Sequence, residues 1–437
     1  MLGASGDKFN LKPFTEGSPH LKALVNNTWL PEQALYPAAG VDKGIELDTL
    51  RDLLTEWVTT FDWGKQEDEL NQLDHFTAEI EGQVVHFVHQ KSKASDTIPV
   101  ILLHGWPGSF QEFLPVIEPL TQPLFNATSG KNVSFDVMVP SLPGFVFSSP
   151  PPQNSTGDDT ARIFNTLMSE VLGYSTYAVH GTDGGSGVAY SLYSSFNETV
   201  CAAAAAHFAF LPFTPPTAQD IADNNITLLD AQKVTLQRNA EWNTIGTGYF
   251  TEQTTKPNDI GLALYDNPIG QLAWIGGKFQ LWSDPRAGTP PSVLDNTAIL
   301  TSVSLYYLTH SFLSSVWIYP QNPNGFHTVY TPTPTDAPLL FSQYEFNVGF
   351  WPEEYVTKVG NLVSYKGNWF DETDVEPLVH DFGGHFAGLD NPPALIEDIR
   401  DVAPGLLPEI VEKGSRMRRR ISHPCFGSFP TYTYPCS

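Results

Sequence analysis

Cysteine is scarce in this chain: Cys201, Cys425 and Cys436 are the only three in 437 residues. That excludes a disulfide scaffold and a cysteine-built zinc site. Basic residues are also few, 23 against 48 acidic, and the net charge is −25. A phosphate backbone needs a basic face, so nucleic-acid binding is excluded as a main role. No apolar run reaches the ~18 to 20 residues of a membrane span. The start, Met1-Leu-Gly-Ala-Ser-Gly-Asp7, has neither the charged nor the apolar region of a signal peptide. The chain is therefore either not secreted or numbered from behind a removed leader. Charged residues make up 16% and hydrophobic ones 41%, the balance of a folded chain rather than a disordered one.

What is present is a succession of buried-strand and helix patterns. Residues 49–58 put Leu50, Leu53, Leu54, Trp57 and Val58 on one helical face. Stretches on either side of Glu81-Gly82 read as a hairpin over residues 77–89. Ile98 to Leu103 is an unbroken apolar run, as a parallel strand buried on both faces would be. Phe135 to Val139 and Tyr177 to His180 repeat that pattern. Between them, residues 158–172 carry one apolar helical stripe that Gly173 stops. The alanine run 202–206 is helical by propensity, but it follows a helix and runs into Phe208 and Phe210, which predicts a buried strand. Leu362 to Tyr365 predicts another strand, and 393–402 a helix. Residues 212–333 break the rhythm with helical patterns over 226–240, 258–283 and 293–315. The predicted fold class is α/β, a sheet with right-handed crossovers interrupted by a helical insertion. His86 and His89 are three apart on a strand, so they face opposite sides and make a poor metal pair.

Gly181-Thr182-Asp183-Gly184-Gly185 lies between a strand and a helix. Small residues around a central one make the sharp turn that lifts a nucleophile above an α/β-hydrolase sheet. The lifted residue here is an aspartate. A carboxylate attacking an sp³ carbon gives an alkyl ester, which water must then cleave. His104-Gly105-Trp106-Pro107 follows the strand 98–103, where such a loop turns backbone N–H groups toward the nucleophile. The donors would be the amides of Trp106 and Gly184, with His104 and Pro107 expected at the substrate pocket. His385, in Gly383-Gly-His-Phe386, sits late in the chain, as a general base should after nucleophile and acid. Each motif taken singly also reads as an ordinary glycine turn or packed histidine.

Taken together and in order, the motifs resemble those of the microsomal-type epoxide hydrolases. They are Phe61-Asp-Trp63, His75-Phe-Thr-Ala-Glu-Ile-Glu-Gly82, His104-Gly-Trp-Pro-Gly-Ser109, Pro140-Ser-Leu-Pro-Gly-Phe145 and the Asp183 elbow. Further on come Gly248-Tyr249, Thr255-Lys-Pro257, Asp266-Asn-Pro268, Ala273-Trp-Ile275 and Gly383-Gly-His-Phe386. The resemblance covers roughly residues 8–402. It implies an α/β-hydrolase core, a helical lid and an N-terminal meander that wraps the core and braces the lid. The boundaries expected are 1–92 for the meander, 93–211 and 334–412 for the core, 212–333 for the lid and 413–437 for a tail. It also implies roles. Asp183 would be the nucleophile, and Tyr249 and Tyr319 would protonate the epoxide oxygen. Glu354, in Phe350-Trp-Pro-Glu-Glu354, would orient His385, with Glu353 as the fallback. Substrates would be a small apolar epoxide and water, with no cofactor and no metal; a homodimer is an analogy.

Three stretches depart from that family. The residue after the nucleophile is usually Trp, and here it is Gly184, which should enlarge the pocket floor or leave it to another side chain. Residues 367–377 look like an insertion with four carboxylates, and the tail beyond about 412 has no family counterpart. Met417-Arg-Arg-Arg420 in that tail reads as solvated or as a processing site. Haloalkane dehalogenases also use an aspartate nucleophile, but they need a halide donor such as the Trp that Gly184 replaces. A serine esterase is disfavoured because Ser186 lies off the elbow, while an epoxide-opening cyclase or a non-catalytic binding member stays open. Sequons at Asn26, Asn126, Asn132, Asn154, Asn197 and Asn225, with Cys425 and Cys436 placed to pair, favour a secreted chain over a cytoplasmic one.

Overall fold

The computed structural model describes residues 7–9, 11, 18–126, 131–200, 206–366 and 380–402. The 367–377 segment, the tail and all three cysteines lie outside these residues.

The apolar runs become strands of one nine-stranded sheet. Its members are β1 (Asp7–Lys8), β2 (His75–Ile80), β3 (Gln83–Gln90), β4 (Ile98–Leu103), β5 (Phe135–Pro140), β6 (Ala178–Gly181), β7 (Ala206–Phe208) and β8 (Pro338–Ser342). A separate two-stranded sheet joins β9 (Tyr344–Phe346) to a later strand, and β10 (Asn361–Lys366) closes the main sheet. The spatial order is β1-β2-β3-β5-β4-β6-β7-β8-β10. The β1–β2, β2–β3 and β3–β5 pairs are antiparallel, and every pair from β5 onward is parallel. Val100 to Leu103 in β4 are each at most 1% exposed. Helices cover both faces of this parallel part, which is why its strands read as continuous apolar runs rather than alternating ones.

The hairpin turn Glu81-Gly82 has φ of 55° and 78°, positive at both central residues, as a two-residue hairpin loop requires. The helix expected over 158–172 is found as Gly157–Thr166 followed by a π-helical turn, Leu167–Val171. Thr156 and Asp159 close a capping box at its start. The stretch 258–283 is not one helix. Pro257 and Pro268 each begin a new one, because proline fits a first helical turn and breaks an interior.

The N-terminal residues extend the sheet and also reach the lid. Thr301 donates to Gln66 at 3.2 Å, and Asn296 donates to Glu56 at 2.8 Å. Asp266 in the lid accepts from Tyr307 at 2.6 Å and pairs with His20 at 2.9 Å. The second strand of the small sheet is β11 (His380–Gly384), parallel to β9. Buried Asp398 anchors it. Lys366 lies 2.8 Å, His380 2.9 Å and Tyr344 3.1 Å from its carboxylate. Burial alone would raise this carboxyl; the facing His380 and Lys366 charges hold it well below the usual carboxylate range.

Candidate active site

Strands β4, β6 and β7 end side by side, with Leu103 paired to Gly181 and Gly181 to Phe208. At the carboxyl end of β6 the chain turns straight into the helix Asp183–Ser195. Asp183 sits at the turn with φ of 46°, a left-handed conformation that non-glycine residues rarely adopt. Such strain persists only where the surroundings enforce it. Here they do. A Cβ added at Gly185 would lie 2.3 Å from the His104 carbonyl oxygen. One added at Gly105 would lie 2.0 Å from Asp183 Oδ1 and 2.4 Å from the Gly184 nitrogen. The glycines are what let the two loops meet around the carboxylate.

Each carboxylate oxygen has its own partner. The Trp106 amide donates to Oδ1 at 2.7 Å. His385 Nε2 stands 3.1 Å from Oδ2. The Gly184 amide opens the helix beside the same carboxylate, with its positive dipole end toward it. Opposite, the lid presents Tyr249 from the helix Gly248–Thr255 and Tyr319 from the turn Ile318–Gln321. Tyr249 stacks on Trp106 with ring centroids 5.3 Å apart, and Tyr319 meets Tyr249 edge-on at 6.0 Å. Burial pushes both phenols well above their ordinary value, and the Asp183 charge pushes them further. Both are therefore protonated donors at neutral pH. All these groups line one cavity of about 400 Å³. Its walls are mainly apolar, with Leu142, Phe210, Trp282, Ile318 and Val348 among them.

Two expectations need correction, and a third resolves between its alternatives. Glu354 is exposed, on the short helix Glu353–Val356, and is not the partner of His385. His385 Nδ1 faces Asn347 Oδ1 at 3.2 Å. Glu353 begins the same helix, and both His385 ring nitrogens are engaged elsewhere. Asn347 directly follows β9, which pairs with the strand that carries the His385 loop, so the small sheet rather than the Trp-Pro-Glu-Glu motif delivers the orienting group. His104 and Pro107 are buried and do not line the cavity. His104 Nε2 accepts from the Leu142 amide at 3.2 Å, which ties the Trp106 loop to the Pro140–Phe145 loop from behind. At Gly184 the second of the two expected outcomes is found, another side chain taking the place of the missing indole. Ile318 Cδ1 lies 3.4 Å from where a Cβ would be, so the lid fills that space.

Other positioning residues gave no signal in the sequence. Asp390 accepts from the Gly384 amide at 2.9 Å and Asp284 from the Gly383 amide at 2.9 Å, so two carboxylates brace the His385 loop through its backbone. Burial pushes Asp390 up to about 7. Tyr306 donates to the Gly108 carbonyl at 2.7 Å and fixes the far side of the Trp106 loop. These contacts join residues 6 to 198 positions apart, and no local pattern marks them. Among the described residues no cluster of His, Cys, Asp or Glu could hold a metal ion, and no helix is long and apolar enough to cross a membrane.

Fold and site define an α/β-hydrolase with an aspartate at the nucleophile elbow and two phenols facing it. Residues 7–113 match the model of the epoxide hydrolase N terminus, and residues 98–238 that of the alpha/beta hydrolase fold. The chain is 30% identical to juvenile hormone epoxide hydrolase 2 of Ctenocephalides felis, over 83% of this chain and 78% of that one. It is also 30% identical to epoxide hydrolase 1 of Sus scrofa, over 82% and 80%. The solved structure of Aspergillus niger epoxide hydrolase superposes with a TM-score of 0.75 at 30% identity, over 92% of this chain and 97% of that one. The chain belongs to the microsomal-type epoxide hydrolase family.

Proposed function

We propose that the protein adds water to small apolar epoxides in two steps through an ester on Asp183. The observation that carries this reading is the arrangement around one carboxylate. Oδ1 is held by the Trp106 amide, Oδ2 points at His385, and two protonated phenols face it across an apolar cavity. Oδ2 attacks an epoxide carbon, the ring C–O bond breaks, and Tyr249 or Tyr319 gives its proton to the leaving oxygen. Burial and the Asp183 charge both raise those phenols; esterification removes the Asp183 contribution, so proton donation becomes easier as the new bond forms. His385 Nε2 then takes a proton from water, which attacks the Asp183 carbonyl carbon. The Trp106 and Gly184 amides receive the oxyanion; one such donor is commonly worth about 3 kcal/mol. Collapse releases the diol. Of the two protons of water, one leaves on the diol and the other restores the tyrosine.

Label from ¹⁸O water is expected in Asp183 after repeated turnovers of an aryl epoxide, read by mass analysis of the peptide that contains it. Asp183→Ala is expected to form no diol. Diol formation with Asp183 unlabelled, or an active Asp183→Ala protein, contradicts the ester. The haloalkane dehalogenase alternative lacks support at Gly184, where the space carries Ile318 rather than an indole donor.

Secretion is proposed on separate grounds. The asparagines of five sequons, Asn26, Asn132, Asn154, Asn197 and Asn225, are exposed, as glycan attachment requires; the Asn126 side chain and the Cys425–Cys436 pair lie outside the described residues. The intact protein from its native source is expected to exceed 48.2 kDa by glycan increments; a mass without them supports the cytoplasmic alternative.

A further inference from the structure

Asn347 is 1% exposed and fully committed. Its Nδ2 donates to the Ala209 carbonyl at 3.0 Å, and its Oδ1 accepts from the Val348 amide at 2.8 Å. The amide is thereby held in one orientation, with Oδ1 rather than Nδ2 toward His385 Nδ1. That orientation requires the Nδ1–H form of the ring. It leaves Nε2, the atom facing Asp183, as the nitrogen that exchanges protons. Both ring nitrogens are thus assigned, one to a neutral amide and one to the nucleophile. The rest of the ring is packed in apolar contact, with Phe210 and Trp282 each 5.2 Å away by centroid.

We propose that Asn347 is the positioning residue of the base, fixing the ring and its tautomer with a neutral amide where a carboxylate could also have served. The proposal rests on the epoxide-hydrolase reading and names what limits its second half. Asp183 is the carboxylate that faces His385 Nε2, and it loses its charge when it becomes an ester. During ester hydrolysis the imidazolium then forms with only the Asn347 dipole behind it. A charge-assisted hydrogen bond is roughly twice as strong as a neutral one. A carboxylate at 347 would therefore stabilise that imidazolium and speed ester hydrolysis by about tenfold. It would leave the alkylation half-reaction alone, because no proton is taken by His385 there. The Asn side chain keeps the correct tautomer at the expense of that acceleration.

The test separates the two half-reactions in rapid-quench single turnovers of an aryl epoxide, with the Asp183 ester quantified by peptide mass. Asn347→Asp is expected to hydrolyse the ester about tenfold faster and to hold less of it at steady state. Asn347→Ala, which loses the tether, is expected to hydrolyse it about 10- to 100-fold more slowly and to hold more. Alkylation rates are expected to agree within about twofold across all three, a split that a merely structural role would not produce. Glu354→Gln, at an exposed position, is expected to match the parent in both rates. Thermal unfolding of each variant reports whether it is folded. Folded Asn347→Asp with unchanged or slower ester hydrolysis overturns the proposal, as does a Glu354→Gln protein that hydrolyses the ester slowly. No ester on Asp183 in any variant would instead overturn the two-step reading on which the proposal stands.

Discussion

His385→Gln is expected to stop turnover while leaving one round of alkylation intact. The side chain is buried between Phe210, Trp282 and Phe386, and its Nε2 is the basic atom facing the Asp183 carboxylate. Glutamine fills similar space but offers no nitrogen that can take a proton at neutral pH. Ester hydrolysis needs that base; ring opening does not, because its proton comes from the lid. General-base removal commonly costs 10²- to 10⁴-fold, so steady-state diol formation is expected to fall by about 10³-fold. The Asp183-containing peptide should then carry the mass of one substrate after a single exposure. A variant that turns over near the parental rate would remove His385 from the mechanism. One that forms no adduct would place it in the first step instead.

The double variant Tyr249→Phe with Tyr319→Phe is expected to fail at the opposite point. The two rings stay packed on Trp106, on each other and on Phe250, so the lid should keep its shape. What is lost is the pair of protonated hydroxyls. An epoxide oxygen leaving without a proton must carry a full negative charge into a cavity walled by Phe210, Trp282 and Ile318. Alkylation is expected to slow by about 10²- to 10⁴-fold, and little ester should accumulate. Either single variant should lose less, since the remaining phenol can still donate. An unchanged alkylation rate in the double variant would exclude the phenols as the acid. The contrast with His385→Gln is diagnostic: one variant fills Asp183 and the other leaves it empty.

Much of this was legible without coordinates, where the signal was contiguous. The run Ile98–Leu103, the glycines around Asp183 and the Gly-Gly-His loop each encode their geometry in a few adjacent residues. A buried parallel strand must be apolar throughout, and a strained elbow must be flanked by residues without side chains. The lid tyrosines were legible only through the resemblance. Nothing local separates Tyr249 and Tyr319 from the other tyrosines of the chain, and their function depends on meeting across the cavity.

Glu354 shows where local reading fails. Its motif has the expected residue types, yet the side chain is exposed on the helix Glu353–Val356. The group at His385 Nδ1 is Asn347, delivered by the parallel pairing of β9 with β11. A seven-residue difference along the chain decides between water and the base, and only the strand register determines it. The same holds for Ile318, which fills the space over Gly184 because the lid folds back onto the elbow. By itself, then, the sequence determined the sheet, the elbow that carries Asp183, the Trp106 loop beside it and the glycine loop that carries His385, because each is specified by backbone constraints over a few residues. Only the tertiary structure decided which group holds the base, what closes the pocket floor and that His104 braces a loop rather than touching substrate. Those outcomes turn on contacts between segments tens to hundreds of residues apart, whose specificity lies in packing and register rather than in any motif.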